Sequence, residues 1–87
     1  MASDKLVFKK SVTKDLRAIP NTDIRRILNR IEALTENPRA ADCVKLSGQE
    51  RYRVRQGDYR IIYEINDGQL VILVITVGHR SSVYQAR

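Results

Sequence analysis

The stretch RYRVRQGDYR sets Arg51, Arg53, Arg55 and Arg60 within ten residues. Arginine is a permanent cation whose planar fork of donors matches the oxygens of a phosphate. Like charges facing one another across a sheet are destabilising, by roughly a few tenths of a kcal/mol when exposed, so the fold has no need of the cluster. Asp58 and Glu64 are too few to neutralise it, which leaves the excess to an outside anion. Basic residues also defend exposed edge strands. Continuation of the charge through Arg60 onto a neighbouring strand favours a polyanion-binding face instead. His79 is the only histidine, able to exchange protons near neutral pH, and it precedes Arg80. Tyr84 lies outside the alternation that explains the other tyrosines, so it too is a functional candidate.

Those groups need a scaffold, and the chain supplies one in two halves. Leu6 to Phe8 is a short β-prone run. Ser11 is placed to cap a helix carrying Val12, Leu16 and Ile19 at helical spacing, closed by Pro20. In NTDIRRILNRIEALTENP, Ile24, Ile27, Leu28, Ile31 and Leu34 recur as one buried helical face, with Asn21 or Thr22 as cap and Asn37-Pro38 as stop. The very short turn between them predicts an antiparallel helical hairpin.

From Arg39 to Gln49 the chain reads as irregular, with Val44 and Leu46 as inward anchors. The period then changes to two. Tyr52, Val54, Tyr59, Ile61 and Tyr63 fall on one face, and Arg51, Arg53, Arg55 and Arg60 on the other. A turn centred on Gln56-Gly57 sets Val54 opposite Tyr59 and Arg53 opposite Arg60. A second tight turn at Asp67-Gly68 leads to LVILVITV, apolar at nearly every position, as in a strand covered on both faces. Strict register from that turn puts His79 on the arginine face and Arg80 on the other, unless a bulge, for which Gly78 is the candidate, reverses them. The expected fold class is α+β. An N-terminal strand and the helical hairpin pack on a small twisted, mainly antiparallel β-sheet, in a single domain over 1–87.

Composition agrees. Hydrophobic residues make up 43% and charged residues 30%, as in a folded domain. Sixteen Lys plus Arg against ten Asp plus Glu leave a net charge of +6, which suits a polyanionic partner. Basic helix residues Arg25, Arg26, Arg30 and Arg39 read as a solvated face or as steering groups. The single cysteine, Cys43, excludes an intrachain disulfide and argues against a thiolate zinc site. No phosphate loop, paired carboxylate site or metal-ligand cluster is visible, so no metal or cofactor is expected. Neither a signal peptide nor a membrane span is read, and a cytoplasmic location with no membrane partner is expected.

YRVRQGDYRIIYEI followed by VILVITVGHRSSVY resembles the RelE/ParE superfamily of type II toxins, and is most similar to the RelE-like ribonucleases. The resemblance implies a toxin of a toxin-antitoxin system that inhibits translation by cutting mRNA in the ribosomal A site. Its implied partners are a cognate antitoxin and the mRNA and ribosomal RNA of the ribosome. The implied reaction is metal-independent, with the 2′-hydroxyl attacking the adjacent phosphate to leave a 2′,3′-cyclic phosphate. Carried onto this chain, the site falls on Arg53, Arg55, Arg60, Arg80 and Tyr84, with Arg51 and His79 as further RNA-binding groups. Arg60 and Arg80 would stabilise the phosphorane-like transition state, and Arg53 and Arg55 would hold the RNA backbone.

Relatives carry Lys where Arg53 and Arg55 stand, and Arg stays protonated in proteins. Proton transfer therefore passes to Tyr84 or His79, or catalysis is mainly electrostatic. Two other readings stay open: a ParE-like inhibitor of DNA gyrase that catalyses nothing, and a degenerate member that only binds its antitoxin.

Overall fold

The computed structural model describes residues 6–46, 50–66, 68 and 71–79. Its elements run β1 (Leu6–Phe8), α1 (Lys10–Arg17), α2 (Asn21–Glu36), β2 (Val44–Leu46), β3 (Arg51–Gln56), β4 (Tyr59–Asn66) and β5 (Val71–His79). They form one five-stranded sheet of order β1-β5-β4-β3-β2. β1 is the parallel edge strand beside β5, and the other pairs are antiparallel. The α+β expectation holds. Among the described residues no helix is long and apolar enough to cross a membrane.

Both helices lie on one face. α1 packs on β5, and α2 crosses β3, β4 and β5. Val12, Ile27, Ile31 and Leu34 from the helices meet Tyr52, Val54, Ile61, Tyr63, Ile65, Ile72, Val74 and Val77 from the sheet. The tyrosine and valine face is thus the bed for the helices, as alternation required.

Several local expectations are corrected. Ser11 lies inside α1, whose N-cap is Lys9, and α2 begins at Asn21 behind Pro20; neither start has a side-chain cap. Leu28 is 40% exposed. At about 100° per residue it lies roughly 90° from the line through Ile27, Ile31 and Leu34 that touches the sheet. Val44 and Leu46 are not inward anchors. They belong to β2, pair with Arg53 and Arg51, and so share the face opposite the helices, where Val44 is 46% exposed.

The β3–β4 turn is centred one residue later than expected. Gln56 pairs with Tyr59, Arg55 with Arg60 and Val54 with Ile61. Gly57, at φ 60°, takes the first central position, where a two-residue hairpin needs a left-handed residue. Both settings have the same parity, so the faces are unchanged. Asn66 pairs with Val71, which leaves a four-residue connection in place of the tight turn; of it, only Gly68 is described.

β5 carries a register shift. Tyr63 pairs with Val74, whereas Ile62 pairs with Thr76, so Ile75 is a bulge residue. One extra residue reverses the facing of everything beyond it. The reversal that Gly78 was expected to supply occurs three residues earlier. The open face of β5 is half-buried, not fully covered.

Candidate active site

On the sheet face opposite the helices, Arg51, Arg53 and Arg55 of β3 stand across from Glu64, Ile62 and Arg60 of β4. Arg55 and Arg60 are direct partners, which places their Cβ atoms about 5 Å apart. Two guanidiniums so placed repel each other and jointly favour an anion between them.

The four arginines are not equivalent. Arg51 is committed to Glu64, its Nε and Nη2 donating to Oε2 at 3.1 and 2.5 Å. Arg53, Arg55 and Arg60 are the other guanidiniums of this face. Arg55 is exposed and Arg53 half-buried, whereas Arg60 is only 8% exposed. Arg60 sits on β4, inside the sheet, with Arg55 on one side and Gly78 on the other. A guanidinium held this deep is oriented by its surroundings and does not sweep through solvent. A concavity of about 340 Å³ opens beside Arg53 and Arg55, which line it together with Asp42, Val44 and Gly57. Asp42 was missed in the sequence, and Val44 was read there only as an inward anchor. The alternation in Val44-Lys45-Leu46 was the available signal for β2.

His79 does not join this cluster. Beyond the Ile75 bulge, Thr76 and Gly78 pair with Ile62 and Arg60 on the arginine face, while Val77 and His79 pair with Ile61 and Tyr59 on the helix side. The His79 ring meets Tyr59 edge-on at 5.8 Å. Strict register would have put it among the arginines; the bulge takes it away. Arg80 and Tyr84 lie outside the described residues.

β1 pairs with β5 only as far as Phe8 and Val74, and the N–H of Lys9 then donates to the Val74 carbonyl at 2.9 Å. Past that point α1 takes over the edge. Asp15 Oδ2 accepts the Val77 N–H at 3.2 Å, which ties the strand to the helix just after the bulge.

The remaining tyrosines are structural. Tyr63 is fully buried, donates to the Pro38 carbonyl at 2.6 Å, and stacks on Tyr52 at 5.8 Å. Burial pushes its phenol well above the ordinary value, so it stays neutral. Beside it, Glu50 accepts from the Tyr52 hydroxyl at 2.9 Å, Arg39 at 2.9 Å and Lys45 at 3.1 Å. Those hydrogen bonds, Tyr52 first, hold the Glu50 carboxyl down at about 2 from an ordinary 4.5. A depressed carboxylate stabilises the fold above its unfolded value and loses that contribution as pH falls towards its folded one. Glu50→Gln is therefore expected to lower stability at neutral pH and to flatten the acid loss between pH 4.5 and 2. Urea midpoints across that window test it; unchanged curves would rule the network out as a fastener of β2.

A family profile described as ParE toxin of type II toxin-antitoxin system, parDE, matches residues 6–84. The chain belongs to the RelE/ParE family of toxins. Toxin RelE3 of Methanocaldococcus jannaschii is 34% identical over 85 residues, covering 92% of this chain and 94% of the relative. The mRNA interferase toxin RelE of Escherichia coli strain K12 is 30% identical over 84 residues, covering 91% and 87%. Among solved structures, the archaeal RelE-RelB complex from Pyrococcus horikoshii OT3 aligns at a TM-score of 0.78 and 33% identity, over 87% of this chain and 93% of that one. Isolated E. coli RelE aligns at a TM-score of 0.75 and 29% identity, over 92% and 89%. Within the RelE/ParE family the arginine face thus belongs to a type II toxin.

Proposed function

We propose that this toxin is a metal-independent endoribonuclease that cuts mRNA in the ribosomal A site and is held in check by a cognate antitoxin. One observation carries the reading: Arg53, Arg55 and Arg60 share the open sheet face, where Arg53 and Arg55 line a concavity large enough for a phosphate group. In-line attack by a 2′-hydroxyl builds negative charge on the phosphorus oxygens, and fixed guanidiniums stabilise that charge as it forms. Arg60, held within the sheet, and Arg80 are assigned this role. Arg53 and Arg55 grip the RNA backbone, and Tyr84 is assigned to orienting the 2′-hydroxyl or to base stacking. The likeness to mRNA interferase RelE and to RelE-RelB complexes supports the substrate and the antitoxin.

The ParE profile favours a second reading, a non-catalytic inhibitor of DNA gyrase. Purified protein added to a translating extract, with mapping of mRNA 5′ ends, separates the two. Cuts within A-site codons that vanish in Arg80→Ala and Tyr84→Phe are expected. DNA breaks dependent on gyrase, with mRNA left intact, would replace the ribonuclease reading.

A further inference from the structure

Resting on the ribonuclease reading, we infer that Asp42 is the general base that takes the proton from the attacking 2′-hydroxyl. Arg53 and Arg55 cannot accept a proton, because a guanidinium is a donor only. His79 is turned to the helix side. Among the described carboxylates near the arginine face, Glu64 is bound to Arg51 and Asp58 sits in the turn.

Asp42 differs from both. It lines the same concavity as Arg53 and Arg55. It lies in the turn that leads into β2, two residues before Val44, the partner of Arg53. Its side chain is 58% exposed, and Oδ1 accepts from Arg30 Nη2. Oδ2 has no partner among the described residues and is available to a substrate hydroxyl. A bare carboxylate beside a phosphate site would repel the substrate. Arg30, reaching from α2, offsets that repulsion and fixes the rotamer at once. Orientation matters here, since a base must lie within hydrogen-bond reach of its proton.

The step balances without a further reactant. The 2′-hydroxyl proton passes to Asp42, the O2′–P bond forms, and the P–O5′ bond breaks with its electron pair on the 5′ oxygen. That oxygen takes a proton from solvent water, and Asp42 returns its own to solvent. The products are a 2′,3′-cyclic phosphate and a 5′-hydroxyl.

The test is ribosome-bound mRNA cleavage by the full chain, with Asp42→Asn and Asp42→Glu compared on two messages. One is ordinary; the other has sulfur in place of the bridging 5′ oxygen, so that its leaving group needs no proton. Asp42→Asn is expected to lower kcat at least about 100-fold on both messages, with KM and thermal midpoint little changed. Asp42→Glu should recover part of the rate. Recovery of Asp42→Asn on the sulfur message would make Asp42 the acid instead and overturn the assignment. So would a wild-type rate, or a loss confined to KM. If the unsubstituted chain cuts no mRNA, the ribonuclease reading falls and this assignment with it; cutting that Asp42→Asn leaves intact removes only the assignment.

Discussion

Arg60→Ala is expected to lower mRNA cleavage by about 10²- to 10³-fold in kcat, the usual cost of removing one fixed donor to developing charge. Arg51→Ala, one strand away on the same face, is expected to cost less than about tenfold, since its guanidinium is already engaged by Glu64. The contrast follows from placement and not from residue type. Arg60 is held inside the sheet between Arg55 and Gly78, so its orientation is settled before substrate arrives. Arg55→Ala falls between the two and acts on binding: loss of one phosphate contact should reduce the slope of log affinity against log salt by about one. Single-turnover rates separate these effects, with urea unfolding of each variant as control because Arg60 is buried. Equal losses at Arg51 and Arg60 would show that the face works by total charge and not by fixed geometry. Arg60→Lys sharpens the point. It keeps the charge and loses the fork, and a preorganised bidentate role predicts that it recovers little.

How far the sequence disclosed this arrangement depended on whether polar and apolar residues alternate. In β3 and β4 they do, and the assignment of Tyr52, Val54, Ile61 and Tyr63 to the helices and of the arginines to the other face followed directly. The turn was misplaced by one residue because Gln56-Gly57 and Gly57-Asp58 are both acceptable hairpin centres. Parity is the same for both, so the faces survived while the partners changed. β5 is different. Its residues are apolar at nearly every position, so nothing in the pattern marks where one face ends and the other begins, and the bulge at Ile75 left no trace. That single residue decides the side on which His79 stands. β2 was hidden for another reason. Its outward residues, Val44 and Leu46, are apolar, and an apolar residue on an open face imitates an inward anchor.

The same limit of apolar pattern governs α2, where Ile31→Ala and Leu28→Ala are expected to differ widely despite equivalent positions in the sequence motif. Ile31 is fully buried between the helix and the sheet, while Leu28 is 40% exposed. Truncating Ile31 removes buried methyl and methylene groups and leaves a cavity that a helix pinned by Ile27 and Leu34 cannot collapse, a loss of about 2–5 kcal/mol. Truncating Leu28 removes atoms already in contact with water, a loss of about 1 kcal/mol or less. For a domain of this size 1 kcal/mol shifts the thermal midpoint by about 4–8 °C, so the two variants should be well separated. Total stability of a small domain is about 0.05–0.15 kcal/mol per residue, and Ile31→Ala therefore consumes a large fraction of it. Urea midpoints at unchanged m-value give the comparison directly. Equal destabilisation would mean that α2 is rotated so that Leu28 also faces the sheet. Such a rotation would carry Arg30 away from Asp42, and the proposed base would lose the group that holds it.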